Sequence, residues 1–236
     1  MSQGANMRGE AVALEAVGLT KVYGAGPAAV HAIDEVSLRV ERGEMLCVMG
    51  KSGSGKSTLL HQLGLLDHPT DGSVLIDGVE ATALPEAERG RLRLEQLGYV
   101  FQEYALLPEL TAEENVYLPG HMLGLSRRDC RERARELLEL VGLAGRARHR
   151  PGEMSGGEQQ RVAIARALMN EPGIVFADEP TASLDTLSTK TVMNALTGLN
   201  RDLGVTVVFV SHDPDHREYA TSLVFLRDGR IVEPYF

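Results

Sequence analysis

Residues 50–57 read GKSGSGKS, a glycine-rich segment that closes on a lysine and a serine. The spacing is G-x-x-x-x-G-K-S, and those residue types suit one chemistry, the cradling of a polyphosphate. Gly50, Gly53 and Gly55 free the backbone so that N–H groups can close around phosphate oxygens, with Lys51, Ser52 and Ser54 between them. Lys56 is expected to reach the β- and γ-phosphates and Ser57 to ligate Mg²⁺, with Thr58 following in the same loop-to-helix turn. A glycine-rich turn that binds no nucleotide is the other reading. The Lys-Ser ending and the position between an apolar run and a helix weigh against it.

A phosphate loop alone leaves kinase, GTPase, helicase and transport ATPase open. The segment IVFADEP narrows the choice, because Asp178 ends an apolar run at the strand edge where α/β sheets bind ligands. Asp178 can hold Mg²⁺ through water, and Glu179 can activate a water for attack on the γ-phosphate. A plain strand-end turn closed by Pro180 is the competing explanation. His212 lies just past a further apolar run, VVFVS, where a lone histidine is usually structural. Three run ends meeting at one crevice favour phosphate contact instead. Gln102, in YVFQEYALLP, is a weaker signal of the same kind.

The stretch MSGGEQQRVAIARAL (154–168) holds a second potential anion site. Ser155 and Glu158 fit a capping box, S-x-x-E. The box does not explain Gly156 and Gly157, which lower helix propensity by about 1 kcal/mol each against alanine. Glycines there let something approach the backbone closely, and a γ-phosphate is a suitable guest.

The elements that must position these residues follow from patterning. VALEAVGLTKVY and AVHAIDEVSLRV alternate in part, and VLIDGVEA carries an Asp77-Gly78 hairpin signal, so strands and turns fill the first 80 residues. EMLCVMG, IVFAD and VTVVFV are continuous apolar runs of strand length, the mark of strands buried on both faces. Helices are expected over KSTLLHQLGLL, over 156–169 and over about 188–202. Ser126 with Asp129 caps another, whose stripe is Cys130, Ala134, Leu137, Leu138 and Val141. Residues 146–153 read as a loop, and LVFLRDGRIVE as a hairpin about Asp228-Gly229. Strand–helix–strand alternation implies a parallel sheet with right-handed crossovers.

The 236 residues are 43% hydrophobic and carry a net charge of −9. A core is available, and non-specific nucleic-acid binding, which neutralises phosphates, is disfavoured. Cys47 and Cys130 lack metal-ligand spacing and read as buried apolar side chains in a reducing compartment. No run approaches the ~18–20 apolar residues of a membrane span, and MSQGANMRGEAVALEAV has no apolar signal core. A soluble chain is expected, with any membrane part supplied by another polypeptide.

Taken in order, these motifs resemble the nucleotide-binding domain of an ABC ATPase over nearly the whole length. Tyr23 resembles the aromatic that stacks on adenine, GKSGSGKS the Walker A loop, and Gln102 the Q-loop glutamine. SGGEQ (155–159) resembles the ABC signature and IVFADE (174–179) Walker B with its catalytic glutamate. SLD (183–185), with Ser183 and Asp185, resembles the D-loop, and His212 the switch histidine. Met154 stands where the family usually has leucine, a conservative apolar change. The resemblance implies an α/β fold, a P-loop NTPase (RecA-like) core with an N-terminal antiparallel β subdomain and a helical subdomain. The single domain would divide into about 10–98 and 170–236 for core and β subdomain, and about 103–168 for the helical part.

The resemblance also implies an ATPase that uses ATP and Mg²⁺. Lys56, Ser57, Gln102, Asp178, Glu179 and His212 of one chain would join Ser155 and Gly157 of a second. That arrangement is an ATP-dependent, head-to-tail homodimer, or a pair with a similar ATPase chain. Gln102 would be a further Mg²⁺ ligand beside Ser57 and Asp178. The neighbourhoods LPEAERGRLR and LGYVFQEYALLPELTAEENVYLP resemble the branch serving lipoprotein release, MacB-type export and the cell-division ATPase FtsE. Membrane permease subunits would dock in a groove near Gln102 to Leu118, which places the chain on the cytoplasmic face of the membrane. A soluble ABC ATPase acting on nucleic acid or another cytosolic partner is the rival. Members of that class usually carry coiled-coil insertions or tandem ATPase domains, and neither is present here.

Overall fold

The computed structural model describes residues 12–233. Residues 1–11, within the stretch read above as lacking a leader, and residues 234–236 lie outside the described residues. Strands β1 (Val12–Tyr23), β2 (Val30–Glu41), β4 (Asp71–Ile76) and β5 (Val79–Glu80) form an antiparallel sheet ordered β2-β1-β4-β5. Asp77 and Gly78 make the β4–β5 turn, both with positive φ, as the hairpin signal requires.

The second sheet contains β3 (Met45–Met49), β6 (Leu97–Val100), β7 (Ile174–Asp178), β8 (Thr206–Ser211), β9 (Ser222–Arg227) and β10 (Arg230–Val232). Its order is β10-β9-β3-β8-β7-β6, parallel except for β10 at the edge. Every residue of β3 and β8 is buried, which is why these strands read as unbroken apolar runs. The register matters for the chemistry. Met49 pairs with Ser211, Asp178 with Val210, and Ala177 with Val100. The chain therefore leaves four neighbouring strands at one level, into the segments carrying Gly50, His212, Glu179 and Gln102.

Among the described residues, six α-helices cover the sheets: α1 (Lys56–Leu63), α2 (Glu86–Gln96), α3 (Ala112–Met122), α4 (Arg127–Leu140), α5 (Gly156–Ala167) and α6 (Thr186–Leu203). In α4 the cap at Ser126 accepts from the Asp129 N–H at 3.2 Å, and every residue of the expected stripe is buried. Gly64 ends α1 three residues before the apolar pattern fades. Segment 146–153, read as loop, begins at the end of a 3₁₀ turn, Ala144–Arg146, and contains a second at Pro151–Glu153. Cys47 and Cys130 are free and buried, and burial pushes the Cys47 thiol up to about 12.

Three features escaped the patterning. Helix α2 hides an arginine rather than an apolar stripe. Arg89, 1% exposed, donates to the carbonyls of Leu65 and Asp67 and to Glu86. Strand β6 is four residues long, too short to alternate visibly. Asn115 is buried and ties the loop before α3, accepting from Leu107 N–H and donating to the Leu107, Leu110 and Thr111 carbonyls.

Helix α3 begins with a capping box between Thr111 and Glu114. The Thr111 backbone N–H, then its hydroxyl, hold the Glu114 carboxyl below the usual range. Stability from this box is therefore present above the ordinary glutamate pKa and lost as pH falls through the lowered folded value. Thr111→Ala is expected to cost about 1 kcal/mol, read as a lower urea midpoint at pH 7. The difference should shrink as Glu114 protonates.

Candidate functional site

The loop after β3 is shaped by its glycines. A Cβ on Gly50 would lie 2.3 Å from the Leu226 carbonyl oxygen, and one on Gly55 2.3 Å from that of Ala32. Gly55 also has φ +100, closed to other residues at low cost. Gly55 occupies the N-cap of α1 without a side-chain cap, so the first N–H groups of the helix remain open to an anion. Ser54 is buried, and its hydroxyl has no partner among the described residues. Lys51, Ser52 and Gly53 are exposed, and Thr58 is half-buried in α1.

Lys56 is 5% exposed, yet its ammonium has partners. Nζ donates to the Lys51 carbonyl at 3.1 Å and lies 3.6 Å from Glu179 Oε1. The Ser57 hydroxyl donates to Asp178 Oδ1 at 2.8 Å. His212 Nδ1 and Glu179 Oε2 are 2.8 Å apart, so the ring N–H donates to the carboxylate. Residues separated by more than 150 positions thus form one connected cluster, Lys56–Glu179–His212, beside the pair Ser57–Asp178. Glu179 adopts φ +40. A non-glycine residue in that region carries roughly 1–3 kcal/mol of strain, which its surroundings must hold.

A hydroxyl and a carboxylate brought together at the end of a phosphate loop are hard oxygen donors that fit Mg²⁺. His61 was not anticipated. Its Nε2 lies 3.5 Å from Asp178 Oδ2, and its spacing of four from Ser57 on α1 is the signal that could have found it.

The remaining expected residues stand elsewhere. Gln102 follows β6, is exposed and makes no hydrogen bond among the described residues. Tyr23 ends β1, donates to Asp67 Oδ2 at 3.1 Å, and has the Lys21 ammonium 5.1 Å from its ring centre. Ser183 is exposed, whereas Asp185 caps α6 by accepting from the N–H groups of Leu187 and Ser188. Asp185 is held below the usual carboxylate range chiefly by the Ser188 hydroxyl and N–H.

Helix α5 starts as expected. Ser155 accepts from Glu158 N–H, and Glu158 accepts from Ser155 N–H at 2.8 Å. A Cβ on Gly156 would lie 2.7 Å from the Tyr104 hydroxyl, and one on Gly157 2.9 Å from Ser188. Side chains of the same chain thus pack against both glycines, beside the N–H groups at the start of α5.

A groove of about 470 Å³ lies between β6, α2, α3 and α5. Its walls include Leu94, Leu97, Tyr99, Phe101, Met122 and Arg166. Arg166 is largely buried, which lowers its pKa to about 10, and it donates to the Tyr104 and Ala105 carbonyls just past Gln102.

The family described as ABC transporter matches residues 33–182. The lipoprotein-releasing system ATP-binding protein LolD of Bordetella pertussis is 49% identical over 219 residues, spanning 93% of this chain and 95% of that one. The macrolide export ATP-binding/permease protein MacB of Neisseria meningitidis serogroup B is 45% identical over 93% of this chain, which covers 34% of that longer protein. A solved dimer of an ATP-binding cassette in a post-hydrolysis state, bound to ADP and Pi, superposes with a TM-score of 0.86. That structure is 41% identical, over 93% of this chain and 97% of the other.

Proposed function

We propose, for a chain that belongs to the ABC transporter ATP-binding family, that it binds ATP and hydrolyses it to ADP and phosphate as the separate ATPase subunit of a membrane complex. One observation carries the reading: Lys56, Ser57, Asp178, Glu179 and His212 converge at the ends of three neighbouring parallel strands. The loop from Gly50 to Thr58 takes the phosphates, Lys56 balances the charge of the β- and γ-groups, and Tyr23 stacks on the adenine. Ser57, Asp178 and Gln102 would hold Mg²⁺, which supplies neutralisation of the phosphate oxygens. Glu179 orients and polarises the attacking water, and His212 fixes Glu179 while facing the γ-phosphate.

The site is half of a larger one. Ser155, Gly156, Gly157 and Glu158 of a second copy close over the nucleotide, with Ser183 and Asp185 at the dimer seam. Only ATP carries the γ-phosphate that both copies contact, so ATP favours the closed dimer and ADP the open state. Residues about 103–168 act as the helical subdomain that presents the signature, while the described parts of about 10–98 and 170–236 form the core and β subdomain. No helix of the described residues is long and apolar enough to cross a membrane. A short helix of a membrane partner enters the groove beside Gln102, placing the chain on the cytoplasmic face.

The test is affinity capture from solubilised membranes with Glu179→Gln protein and ATP. A permease should be recovered with it and lost with Met122→Glu, a substitution at a groove residue that is 66% exposed. Salt-sensitive recovery of nucleic acid, with no membrane protein, would favour the soluble ATPase reading instead.

A further inference from the structure

His216 is the one buried histidine among the described residues, 3% exposed. It sits in the 3₁₀ segment after β8, and nothing in the phosphate chemistry requires it. Both ring nitrogens are partnered. Nδ1 is 2.7 Å from Ser211 Oγ, and Nε2 is 3.3 Å from Thr181 Oγ1. Ser211 and Thr181 are buried too, at 3% and 7%. Ser211 Oγ also accepts from the Asp213 N–H at 3.0 Å, and its hydroxyl and that of Thr181 can each give or take the ring's hydrogen bond. Burial pushes the ring below its ordinary pKa, against the opposing pull of Asp213 and Asp215. A neutral ring has one donor and one acceptor, and the two hydroxyls match them. The Tyr219 ring packs edge-on, its centre 6.3 Å away, and fixes the imidazole plane.

The positions of the two partners give this tie its meaning. Ser211 ends β8 and immediately precedes His212. Thr181 lies two residues past Glu179. The imidazole therefore cross-links the same two strand-end segments whose tips meet as the Glu179–His212 pair. Glu179 sits in left-handed backbone, a conformation that persists only when surrounding contacts over-determine it. A purely apolar residue at 216 could fill the volume but would take the ring partner from the buried Thr181 and Ser211 hydroxyls, leaving Ser211 only the Asp213 N–H and the segments untied.

We propose that His216 is a positioning residue for ATP hydrolysis, holding the Glu179 and His212 segments in register through Thr181 and Ser211. The inference rests on the reading of Glu179 and His212 as the γ-phosphate machinery. The experiment compares steady-state hydrolysis and ATP-analogue binding for His216→Leu, His216→Gln, Thr181→Val and Glu179→Gln. His216→Leu should lower kcat about tenfold while KM and analogue affinity stay within about twofold. His216→Gln, which keeps a donor and an acceptor, should recover most of the loss. Thr181→Val should lower kcat in the same direction with its fold intact, and it carries the test if His216→Leu does not fold. Wild-type kcat in folded His216→Leu or Thr181→Val, or a rise in KM with kcat unchanged, overturns the proposal. Undiminished hydrolysis by Glu179→Gln would instead overturn the underlying reading of the site.

Discussion

Glu179→Gln protein is expected to bind ATP as the unaltered chain does and to lose turnover by about 10²–10⁴-fold, the usual contribution of a positioned general base. The amide is nearly isosteric, and its oxygen can still accept from His212 Nδ1, so the strand ends keep their arrangement. The charge that polarises the water is gone, and so is the partner 3.6 Å from the Lys56 ammonium. Affinity for ATP should hold or rise slightly, because a negative group has left the neighbourhood of the phosphates. Single-turnover phosphate release and equilibrium binding of a fluorescent ATP analogue separate the two quantities. Undiminished release would remove Glu179 from the chemistry.

Lys56→Ala should do the opposite and lose the nucleotide. Lys56 is buried, and its ammonium is fixed by the Lys51 carbonyl at the mouth of the loop. A desolvated cation meeting phosphate is worth far more than a surface ion pair, and truncating one partner of such a contact costs about 2–5 kcal/mol. That corresponds to a weakening of roughly 30-fold to several thousandfold in Kd. Alanine also leaves Glu179 without its countercharge, so the apo protein should lose some stability at neutral pH. Unchanged analogue binding by folded Lys56→Ala protein would count against the phosphate loop as the nucleotide site.

Much of this was legible in the sequence because it is written locally. The phosphate loop is eight consecutive residues, and its spacing needs no knowledge of the fold. The caps at Ser126 and Ser155 require partners only three positions away, and all-buried strands announce themselves as apolar runs. Convergence of Asp178, Glu179 and His212 was readable because parallel sheets gather functional residues at one end.

What was not legible depends on contacts between distant segments. Arg89 inside α2 breaks the apolar stripe, since one of its terminal nitrogens donates to carbonyls from the loop before β4. The placement of β9 beside β3 is a pairing choice that no local pattern fixes. The approach of Tyr104 and Ser188 to Gly156 and Gly157 joins segments far apart in the chain, so no local pattern announces it. His216 and its two hydroxyls become a unit only when β7 and β8 are seen side by side.

The central claim is that a nucleotide held by one chain is closed over by the signature of another. Light scattering on Glu179→Gln protein in saturating Mg-ATP, and in ADP, tests it most directly. The account predicts a dimer in ATP and a monomer in ADP. Adding Ser155→Arg to the same background should restore the monomer in ATP while analogue binding persists. A monomer in saturating Mg-ATP, or a dimer indifferent to Ser155→Arg, would contradict the account.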